Sequence, residues 1–504
     1  MTDGKVFLVG AGPGDAGLIT VRGKQLVDSA DAIVYDALVN RELLPAGARE
    51  TGHPELFFVG KRGGKKSVDQ EEINELLVRL AREGKRVVRL KGGDPLVFGR
   101  GSEEAQALND SSVIFEIVPG VTAGTAGPAY AGIPVTHRGI ATSVTFVTGH
   151  EDPGKLTTQT NWNALAKSGG TIVLYMGTRT LPAISAALIE GGLPGEIPAA
   201  AIQWATRANQ RTVVATLDTL AARSAEAGIG APAIIVIGYS VILRDEINWF
   251  ETRPLFGRRI VVTRAATQAP VLSEKLRDLG AEVIEMPATR IARLDQTPLR
   301  EAVVAIGQYQ WLVFTSQNGV AIFWQQMLAA GLDARALAGA RICAVGPSTA
   351  GSLLEHGIVV DVVPERFVAE SLLEKLAARD DITGATVLYV TAEGAREVLP
   401  RGLAELGANV LVVEAYRSIN DAAGVGRLVR ALESKTIDLV TFTSASGVRG
   451  YVEAVGPELA RLAPAASIGP STTAAIEAAG IELRCEPGMS TIDGLVDAIK
   501  TSLE

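Results

Sequence analysis

Short apolar segments rich in Val and Ile alternate with segments of helical periodicity along almost the whole chain. Val6–Val9, Ala32–Tyr35 and Val87–Leu90 are of the first kind, and Asp69–Glu83 carries apolar residues at helical spacing. A short apolar run fits a strand that is buried on both faces, as the strands of parallel sheets are. The alternation therefore predicts an α/β protein with largely parallel, buried strands.

The chain has 504 residues, which is too long for one hydrophobic core. Single cores rarely grow past about 250–300 residues, so two or more domains are expected. The segment Arg244–Gly257 interrupts the alternation with mixed charge, aromatic residues and a proline. We therefore predict a first domain over residues 1–243, a linker over 244–257 and a second domain over 258–504.

Charge and cysteine content disfavour several classes of protein. The formal net charge of −8 argues against a general nucleic-acid binder. Two cysteines, Cys343 and Cys485, cannot form a disulfide framework or a cysteine metal site. No apolar run approaches the ~20 residues that span a bilayer, and the N-terminus lacks the pattern of a signal peptide. These features predict a reduced, cytoplasmic enzyme with no membrane segment.

Three loops that contain glycine follow predicted strands of the first domain. They are GAGPGD (Gly10–Asp15), KGGDP (Lys91–Pro95) and PGVTAG (Pro119–Gly124). Ligands of open α/β sheets bind at the carboxyl ends of the strands, so the loops predict one shared crevice. The first loop is not a dinucleotide fingerprint, because its third glycine, Gly14, comes one residue early. A fourth segment, VGKRGGKK, concentrates four cations, which suits either a solvated loop or a clamp for an anionic substrate.

Longer strings of the first domain match a known family. They are LVGAGPGDAGLIT, YDALV, VGKRGGKKSVDQEEI, VVRLKGGDPLVFGRG, PGVTAGTAGPAYAGIPVTHR and VLYMG, in this order. With these strings the domain resembles the tetrapyrrole methylases, and among them the uroporphyrinogen-III C-methyltransferases. The resemblance implies a two-lobed α/β methyltransferase, usually a homodimer, with S-adenosylmethionine bound between its lobes. It also implies methylation of uroporphyrinogen III at carbons 2 and 7 to precorrin-2, which feeds sirohaem or cobalamin.

The resemblance also assigns site residues. Asp36 and Lys61 match the family's proposed acid/base pair, and Arg62 and Lys65 suit the eight carboxylates of the substrate. Ala205 stands where the family often has glycine, which adds a methyl group near the cofactor. The positions implied to bind the cofactor are Pro13, Gly92, Gly93, Asp94, Val97, Thr122, Ala123, Met176 and Ala205. Methyl transfer from a sulfonium to an electron-rich pyrrole requires no metal, so none is expected.

The second domain contains an internal repeat. FTSQNGV (Phe314–Val320) recurs as FTSASGV (Phe442–Val448), and VGPSTA (Val345–Ala350) recurs as IGPSTTA (Ile468–Ala474), at an offset of about 125 residues. The repeat predicts two related α/β lobes with a cleft between them. Ser, Thr and Gly at strand–helix junctions offer hydroxyl and backbone N–H groups to anions. His356 stands alone, and an ordinary structural role is expected for it.

The repeats, together with VVTRA, VLYVTAEGAREVL and LGANVLVVEAYRS, resemble the uroporphyrinogen-III synthases. The resemblance implies two lobes joined by extended strands, with the chain leaving the first lobe after about residue 290 and returning after about 418. The implied reaction closes linear hydroxymethylbilane with inversion of one ring and loss of water. Tyr416 matches a tyrosine proposed to help the hydroxyl depart. Positions matching substrate contacts, each of which could instead cap the helix that follows it, are Ser316, Thr349, Ser444 and Thr473.

Together the two halves predict a bifunctional enzyme of tetrapyrrole biosynthesis. The second domain would make uroporphyrinogen III, and the first would convert it to precorrin-2. One alternative is a methylase for another corrin position, with a second half that binds anions without catalysis. Another is an NAD-dependent oxidoreductase, which the glycine spacing and the lack of a fitting second-strand acid disfavour.

Overall fold

The computed structural model divides the chain into two compact units. The first comprises Met1–Arg259, Glu274–Val283 and Lys500–Glu504, and the second comprises Ile260–Ser273 and Ile284–Ile499. The α/β class expected from the sequence is confirmed, and within the described residues no helix is long and apolar enough to cross a membrane. The residues that the structure describes are 4–45, 54–60, 68–149, 159–264, 269–286, 290–365, 369–379, 381–395, 397–419 and 422–504.

The first unit begins with five strands and four helices. They are β1 (Lys5–Gly10), α1 (Val21–Asp28), β2 (Ala32–Tyr35), β3 (Glu55–Phe58), α2 (Gln70–Arg82), β4 (Arg86–Lys91), α3 (Gly101–Asp110), β5 (Ile114–Val118) and α4 (Ala123–Tyr130). The strands form a parallel sheet in the order β3-β2-β4-β1-β5. Both faces are buried, since Phe7 and Val9 of β1 enter one core while Val6 and Leu8 enter the other. Because the strands run in one direction, all their carboxyl ends lie at the same edge.

A second lobe of this unit follows. It contains β6 (Val144–Thr148), α5 (Trp162–Lys167), β7 (Thr171–Tyr175), α6 (Leu181–Glu190), β8 (Pro198–Gln203), β9 (Arg211–Thr216), α7 (Leu220–Glu226), β10 (Ala233–Ile237) and α8 (Arg244–Ile247). The strand order is β6-β7-β10-β8-β9, and β6–β7 is the one parallel pair in this sheet, whose five strands are all described. The prediction of largely parallel strands is therefore wrong for this sheet. Residues 204–210 alone connect β8 to β9, too few for the crossover that a parallel pair needs.

Residues 244–257, which interrupt the alternation in the sequence, pack on the first unit. Phe250 is 5% exposed, and its ring centroid lies 4.7 Å from that of Tyr130 and 5.4 Å from that of Phe256. The ring N–H of Trp249 donates to the carbonyl oxygen of Ala129 at 3.1 Å. Packing thus holds the aromatic part of this segment in place, while the domain limits at 243 and 258 stay a prediction.

The rest of the chain forms two further sheets of five strands. In chain order its elements are β11 (Arg259–Val262), α9 (Ala269–Asp278), β12 (Glu282–Glu285), β13 (Arg290–Arg293), α10 (Thr297–Val304), β14 (Trp311–Phe314), α11 (Gln317–Ala329), β15 (Arg341–Ala344), α12 (Pro347–Leu354), α13 (Ala369–Ala377), β16 (Thr386–Ala392), α14 (Val398–Glu405), β17 (Asn409–Ile419), α15 (Ala422–Glu433), β18 (Leu439–Phe442), α16 (Ala445–Val455), α17 (Pro457–Ala460), β19 (Ala465–Ser467), α18 (Pro470–Ala478), β20 (Leu483–Cys485) and α19 (Ile492–Leu503). The strand orders are β12-β11-β18-β19-β20 and β13-β17-β16-β14-β15.

The internal repeat of the sequence corresponds to repeated strand–helix junctions. The two FTS strings end β14 and β18 and lead into α11 and α16, and the two GPST strings lead into α12 and α18. In chain order the chain passes from the sheet of β12 to that of β13, and after β17 it returns to the sheet of β18, close to the limits of about 290 and 418 that the resemblance implied. β13 and β17 pair in antiparallel register, with Arg290 opposite Ile419 and Arg293 opposite Tyr416.

Candidate functional site

The three glycine-containing loops of the first unit meet at the carboxyl edge of its first sheet. The N–H of Gly93 donates to the carbonyl oxygen of Gly12 at 2.7 Å, and the N–H of Gly12 donates back at 3.2 Å. A Cβ on Gly10 would lie 2.5 Å from the Cα of Gly120 and 2.7 Å from the carbonyl oxygen of Gly93. The loops therefore pack backbone against backbone, and at Gly10 and Gly120 only glycine fits.

Asp94 connects two of these loops. Its Oδ1 accepts hydrogen bonds from the N–H groups of Leu96 (2.8 Å) and Val97 (3.2 Å), and its Oδ2 accepts one from Gly120 at 3.0 Å. Charge-assisted bonds of this kind are stronger than those between neutral groups. The carboxylate therefore holds the two loops in fixed relative positions. Asp94, which the resemblance assigns to the cofactor, thus also organises the loops around it.

A cavity of about 750 Å³ lies beside the loops, within the usual range for small-molecule sites. Its walls come from both sheets of the first unit, and all nine positions assigned to the cofactor line it, as does Asp36. Their contact with a cofactor stays a prediction. Wall residues that the sequence analysis did not assign include Arg89, Lys91, Phe98, Arg100, Tyr175, Trp204 and Arg207.

Four residues of the cavity wall have left-handed backbone conformations. Their φ angles are 52° at Phe98, 59° at Arg100, 54° at Met176 and 50° at Trp204. For residues other than glycine such conformations are unfavourable by roughly 1–3 kcal/mol each, and they concentrate at functional sites. Seven non-glycine residues of the described ranges have positive φ, so more than half of them lie on this wall. The concentration of strained residues makes this cavity the candidate functional site of the first unit.

Tyr175 fixes the start of helix α4. Its hydroxyl shares a hydrogen bond of 2.6 Å with Thr122 Oγ1 and accepts one of 2.6 Å from the N–H of Gly124. Burial raises the pKa of the Tyr175 phenol above its ordinary value, although both hydrogen bonds act to lower it. The sequence analysis missed this residue, which directly precedes the assigned Met176 in the VLYMG string.

Asp36 lies at the end of β2, beside a buried cluster of charges. Its Oδ1 accepts from the N–H of Leu38 at 3.0 Å, and its Oδ2 lies 3.9 Å from Arg89 Nη1. The Oε1 of fully buried Glu104 accepts from Lys91 Nζ at 2.8 Å and from Arg89 Nε at 3.0 Å. Burial lowers the pKa of Lys91 and the charge of Arg89 lowers it further, while Glu104 opposes the shift. The cluster fixes two cations next to the proposed base.

Sequence reasoning missed this cluster, although one signal was present. Arg89 and Lys91 interrupt an otherwise apolar strand, and charged residues inside a buried strand need a partner. The partner, Glu104, comes from the helix that follows, and its identity becomes visible only once the helix is placed.

The loop 204–207 closes another part of the wall. A Cβ on Gly127 would lie 3.2 Å from the Cβ of Ala205, so the added methyl group of Ala205 fits beside α4 because residue 127 is glycine. Arg207 Nη2 donates to the carbonyl oxygen of Leu38 at 2.9 Å, and its guanidinium lies 5.2 Å from the ring centroid of Trp204. Burial lowers the pKa of Arg207.

Three predicted site residues lie outside the described residues. They are Lys61, Arg62 and Lys65. Of the proposed acid/base pair, the structure therefore describes Asp36 alone.

In the second unit, Tyr416 and Ser316 come together. Their hydroxyl groups share a hydrogen bond of 2.6 Å, and Ser316 Oγ also accepts from the N–H of Gly319 at 3.0 Å, which caps α11. Tyr416 lies on β17, and its side chain is largely buried. Burial raises the pKa of its phenol, while the bond to Ser316 acts to lower it. A protonated, oriented hydroxyl group therefore stands at this strand–helix junction.

The other three predicted substrate contacts have different surroundings. Ser444 Oγ accepts from the N–H of Gly447 at 3.0 Å, so Ser444 caps α16 as Ser316 caps α11. Thr349 is buried in the first turn of α12, and the equivalent residue of the repeat is Thr472, which is buried to the same extent. Thr473, one position later, is less buried and donates to the carboxylate of Glu486. The helix-capping alternative thus holds for the two serines, and substrate contact remains a prediction for all four.

Two protein families match the two halves of the chain. Tetrapyrrole (Corrin/Porphyrin) Methylases match residues 5–221, and the family described as Uroporphyrinogen-III synthase HemD matches residues 270–497. The segment 244–257 lies in the interval between the two matches.

Three curated relatives extend these matches. The porphyrin biosynthesis protein HemD of Ruminiclostridium josui is 38% identical over 99% of this chain and 98% of its own length. A uroporphyrinogen-III C-methyltransferase of Bacillus subtilis is 41% identical over 72% of this chain and 74% of its own length. An S-adenosyl-L-methionine-dependent uroporphyrinogen III methyltransferase of Methanosarcina barkeri is 50% identical over 48% of this chain and 94% of its own length. The chain therefore belongs to the family of porphyrin biosynthesis proteins in which a tetrapyrrole methylase domain precedes a uroporphyrinogen-III synthase domain.

Proposed function

We propose that the first domain methylates uroporphyrinogen III at carbons 2 and 7 with S-adenosylmethionine, giving precorrin-2. The observation that carries this proposal is the single cavity lined by all nine positions assigned to the cofactor. The Methanosarcina barkeri relative, whose name includes this methyl donor, supports the choice of cofactor.

The cavity suits an adenosyl ligand with a sulfonium centre. Val97, Met176 and Ala205 give it apolar surface, and the Met176 side chain is half exposed there despite being apolar. A Cβ on Gly93 would find no neighbouring atom closer than 3.9 Å, so the glycine leaves room for a ligand to approach the backbone. When bound, S-adenosylmethionine supplies a methyl group that is already activated, and the proposed reaction therefore requires no metal ion.

The residues of the chain have positioning and proton-transfer roles in this proposal. Holding the ring carbon in line with the methyl group supplies most of the rate enhancement. Asp36 accepts the proton that leaves the methylated ring system, and Arg89, 3.9 Å away, restricts the position of the carboxylate. Arg62 and Lys65 bind carboxylates of the substrate, and Lys61 is the partner of Asp36 in the acid/base pair.

We propose that the second domain closes hydroxymethylbilane to uroporphyrinogen III with inversion of one ring and loss of water. The hydrogen bond between Tyr416 and Ser316 supports this role, because it orients a phenol whose proton is retained. Tyr416 donates a hydrogen bond to the departing hydroxyl group. Ser316, Thr349, Ser444 and Thr473 contact the carboxylates of the substrate.

The two reactions follow each other, since the product of the second domain is the substrate of the first. Precorrin-2 then feeds sirohaem or cobalamin. The proposal retains a cytoplasmic location and a homodimer formed through the methyltransferase domain.

Each half is tested with its own substrate on the full-length protein. Supplied uroporphyrinogen III and S-adenosylmethionine should give a product with two added methyl groups, placed at carbons 2 and 7 by NMR. Methylation at other carbons would instead favour the alternative of a methylase for another corrin position. Hydroxymethylbilane without S-adenosylmethionine should give uroporphyrinogen III, and formation of the uninverted isomer alone would leave the second domain without its proposed activity.

A further inference from the structure

A chain of hydrogen bonds connects the cavity loop 204–207 to the segment that follows α8. The loop joins β8 to the edge strand β9, and Trp204 and Thr206 within it have φ angles of 50° and 66°. Residues in this region of φ persist only where their surroundings hold them. Trp204, Ala205 and Arg207 line the cavity, so the conformation of this loop sets the shape of one wall.

Gln210 holds the loop from one side. Its Oε1 accepts from the N–H of Thr206 at 2.8 Å, and its side chain is buried. Thr206 Oγ1 in turn accepts from the N–H of Asp15 at 2.9 Å, and Asp15 Oδ2 accepts from the hydroxyl of Tyr130 at 3.0 Å. Through Thr206 the loop is thus bonded to GAGPGD, another wall of the same cavity.

Glu251 holds Gln210 from the other side. Glu251 Oε1 accepts from Gln210 Nε2 at 2.7 Å and from Thr212 Oγ1 at 2.5 Å, and Oε2 accepts from the guanidinium of Arg244. The side chains of Glu251 and Arg244 are each 13% exposed, so the carboxylate is largely shielded from water. Gln210 Nε2 also donates to the carbonyl oxygen of Tyr130 at 3.2 Å. Together with that carbonyl, the shielded carboxylate with its three donors fixes the orientation of the Gln210 amide, and with it the acceptor offered to Thr206.

We propose that Glu251 is a positioning residue of the methyltransferase site, which holds the loop 204–207 in its ligand-binding conformation through Gln210. The proposal rests on the proposed function in that the cavity binds S-adenosylmethionine. It gives the segment 244–257, interpreted from the sequence as a linker, a part in the site of the first domain. No sequence motif indicates this role, since 41 residues separate Glu251 from Gln210.

The test compares Glu251→Gln with the matched control Glu246→Gln, both in the full-length protein. Glu246 lies on α8 in the same segment and is exposed. Hydrogen exchange measured by mass spectrometry reports on the loop without any ligand, and calorimetry with S-adenosylhomocysteine reports on the cavity. In Glu251→Gln we expect exchange in residues 204–210 to accelerate about tenfold and the Kd to rise about tenfold, equivalent to about 1.4 kcal/mol. Glu246→Gln should match the wild type in both measurements.

A milder variant, Thr212→Val, removes one donor to Glu251 and should shift both measurements in the same direction by less. Unchanged exchange of residues 204–210 in Glu251→Gln would overturn the proposal. So would acceleration of equal size in β1, because that pattern indicates general destabilisation of the unit. Faster hydrogen exchange in residues 204–210 with an unchanged Kd for S-adenosylhomocysteine would overturn the claim that Glu251 affects ligand binding through this loop. If the wild type fails to bind S-adenosylhomocysteine, the proposed function fails, while the exchange measurement still decides whether Glu251 holds the loop.

Discussion

Replacement of Gly120 by alanine should separate the three glycine loops without removing any side chain. The Cβ would lie 2.7 Å from the Cα of Gly10, 2.9 Å from its carbonyl carbon, and closer still to the carbonyl oxygen of Gly93. Every one of these neighbours is a backbone atom, so no side chain can turn away to make room. The φ angle of Gly120 is not in the left-handed region, and the effect is therefore one of space rather than backbone strain.

The size of the effect follows from these distances. Carbon atoms in good contact lie about 3.5 Å apart, so the Gly10 and Gly120 backbones must separate by roughly 0.8 Å. Overpacking of this kind typically destabilises the packed state by about 1–3 kcal/mol. Gly93 lines the cavity, and Gly10 and Gly120 pack against its carbonyl oxygen. We therefore expect the affinity for S-adenosylhomocysteine to fall by about 10–100-fold, at about 1.4 kcal/mol per tenfold.

Calorimetry with S-adenosylhomocysteine, together with a thermal melt, measures this effect. The matched control is Gly195→Ala, whose Cβ would come no closer than 3.4 Å to Asp218, an ordinary contact. The control should bind as the wild type does. A folded Gly120→Ala protein with wild-type affinity would refute the placement of the cofactor against these loops.

Three further predictions concern the reactions. Asp36→Ala should slow methyl transfer by about 10²–10⁴-fold, as loss of a general base commonly does, and should leave S-adenosylhomocysteine binding intact in calorimetry; a full-rate variant would make Asp36 structural. Tyr416→Phe should slow ring closure and release the bilane to spontaneous cyclisation, seen by chromatography as the uninverted isomer, while methylation of supplied uroporphyrinogen III is unchanged. Because burial raises the pKa of Tyr416, its proton is retained as pH rises through about 10, the ordinary tyrosine value, and the rate of ring closure should show no loss there that depends on Tyr416. A fall in the rate of ring closure that is centred near pH 10 in the wild type and absent from Tyr416→Phe would contradict the raised pKa of Tyr416.

Most strands of the first sheet could be predicted because their sequences carry a local signal. The run Val87–Leu90 lies inside β4, and Val6–Val9 lies inside β1, each one residue short at either end. The second sheet was harder, because an apolar run identifies a buried strand without its direction. The antiparallel β8–β9 pair follows from the shortness of the connection 204–210, a feature of spacing rather than of composition.

The nine positions of the cavity wall assigned to the cofactor could be predicted from the resemblance, whereas the other wall residues and the contacts that hold them were missed. Asp94 was recognised within KGGDP, but its bond to Gly120 joins loops 26 residues apart. Glu104 and Glu251 are ordinary acidic residues in the sequence, and they acquire partners only when a helix or a connecting segment is packed against the sheet. Residues selected for such long-range polar contacts leave no periodic pattern that one sequence can reveal.

The central claim is that one chain carries out two consecutive reactions of tetrapyrrole biosynthesis. The direct measurement gives the full-length protein hydroxymethylbilane and S-adenosylmethionine together and identifies the products by mass and NMR. The account predicts precorrin-2, with the inverted ring and two added methyl groups at carbons 2 and 7. Accumulation of the uninverted isomer without its inverted counterpart, or of unmethylated uroporphyrinogen III, would contradict it.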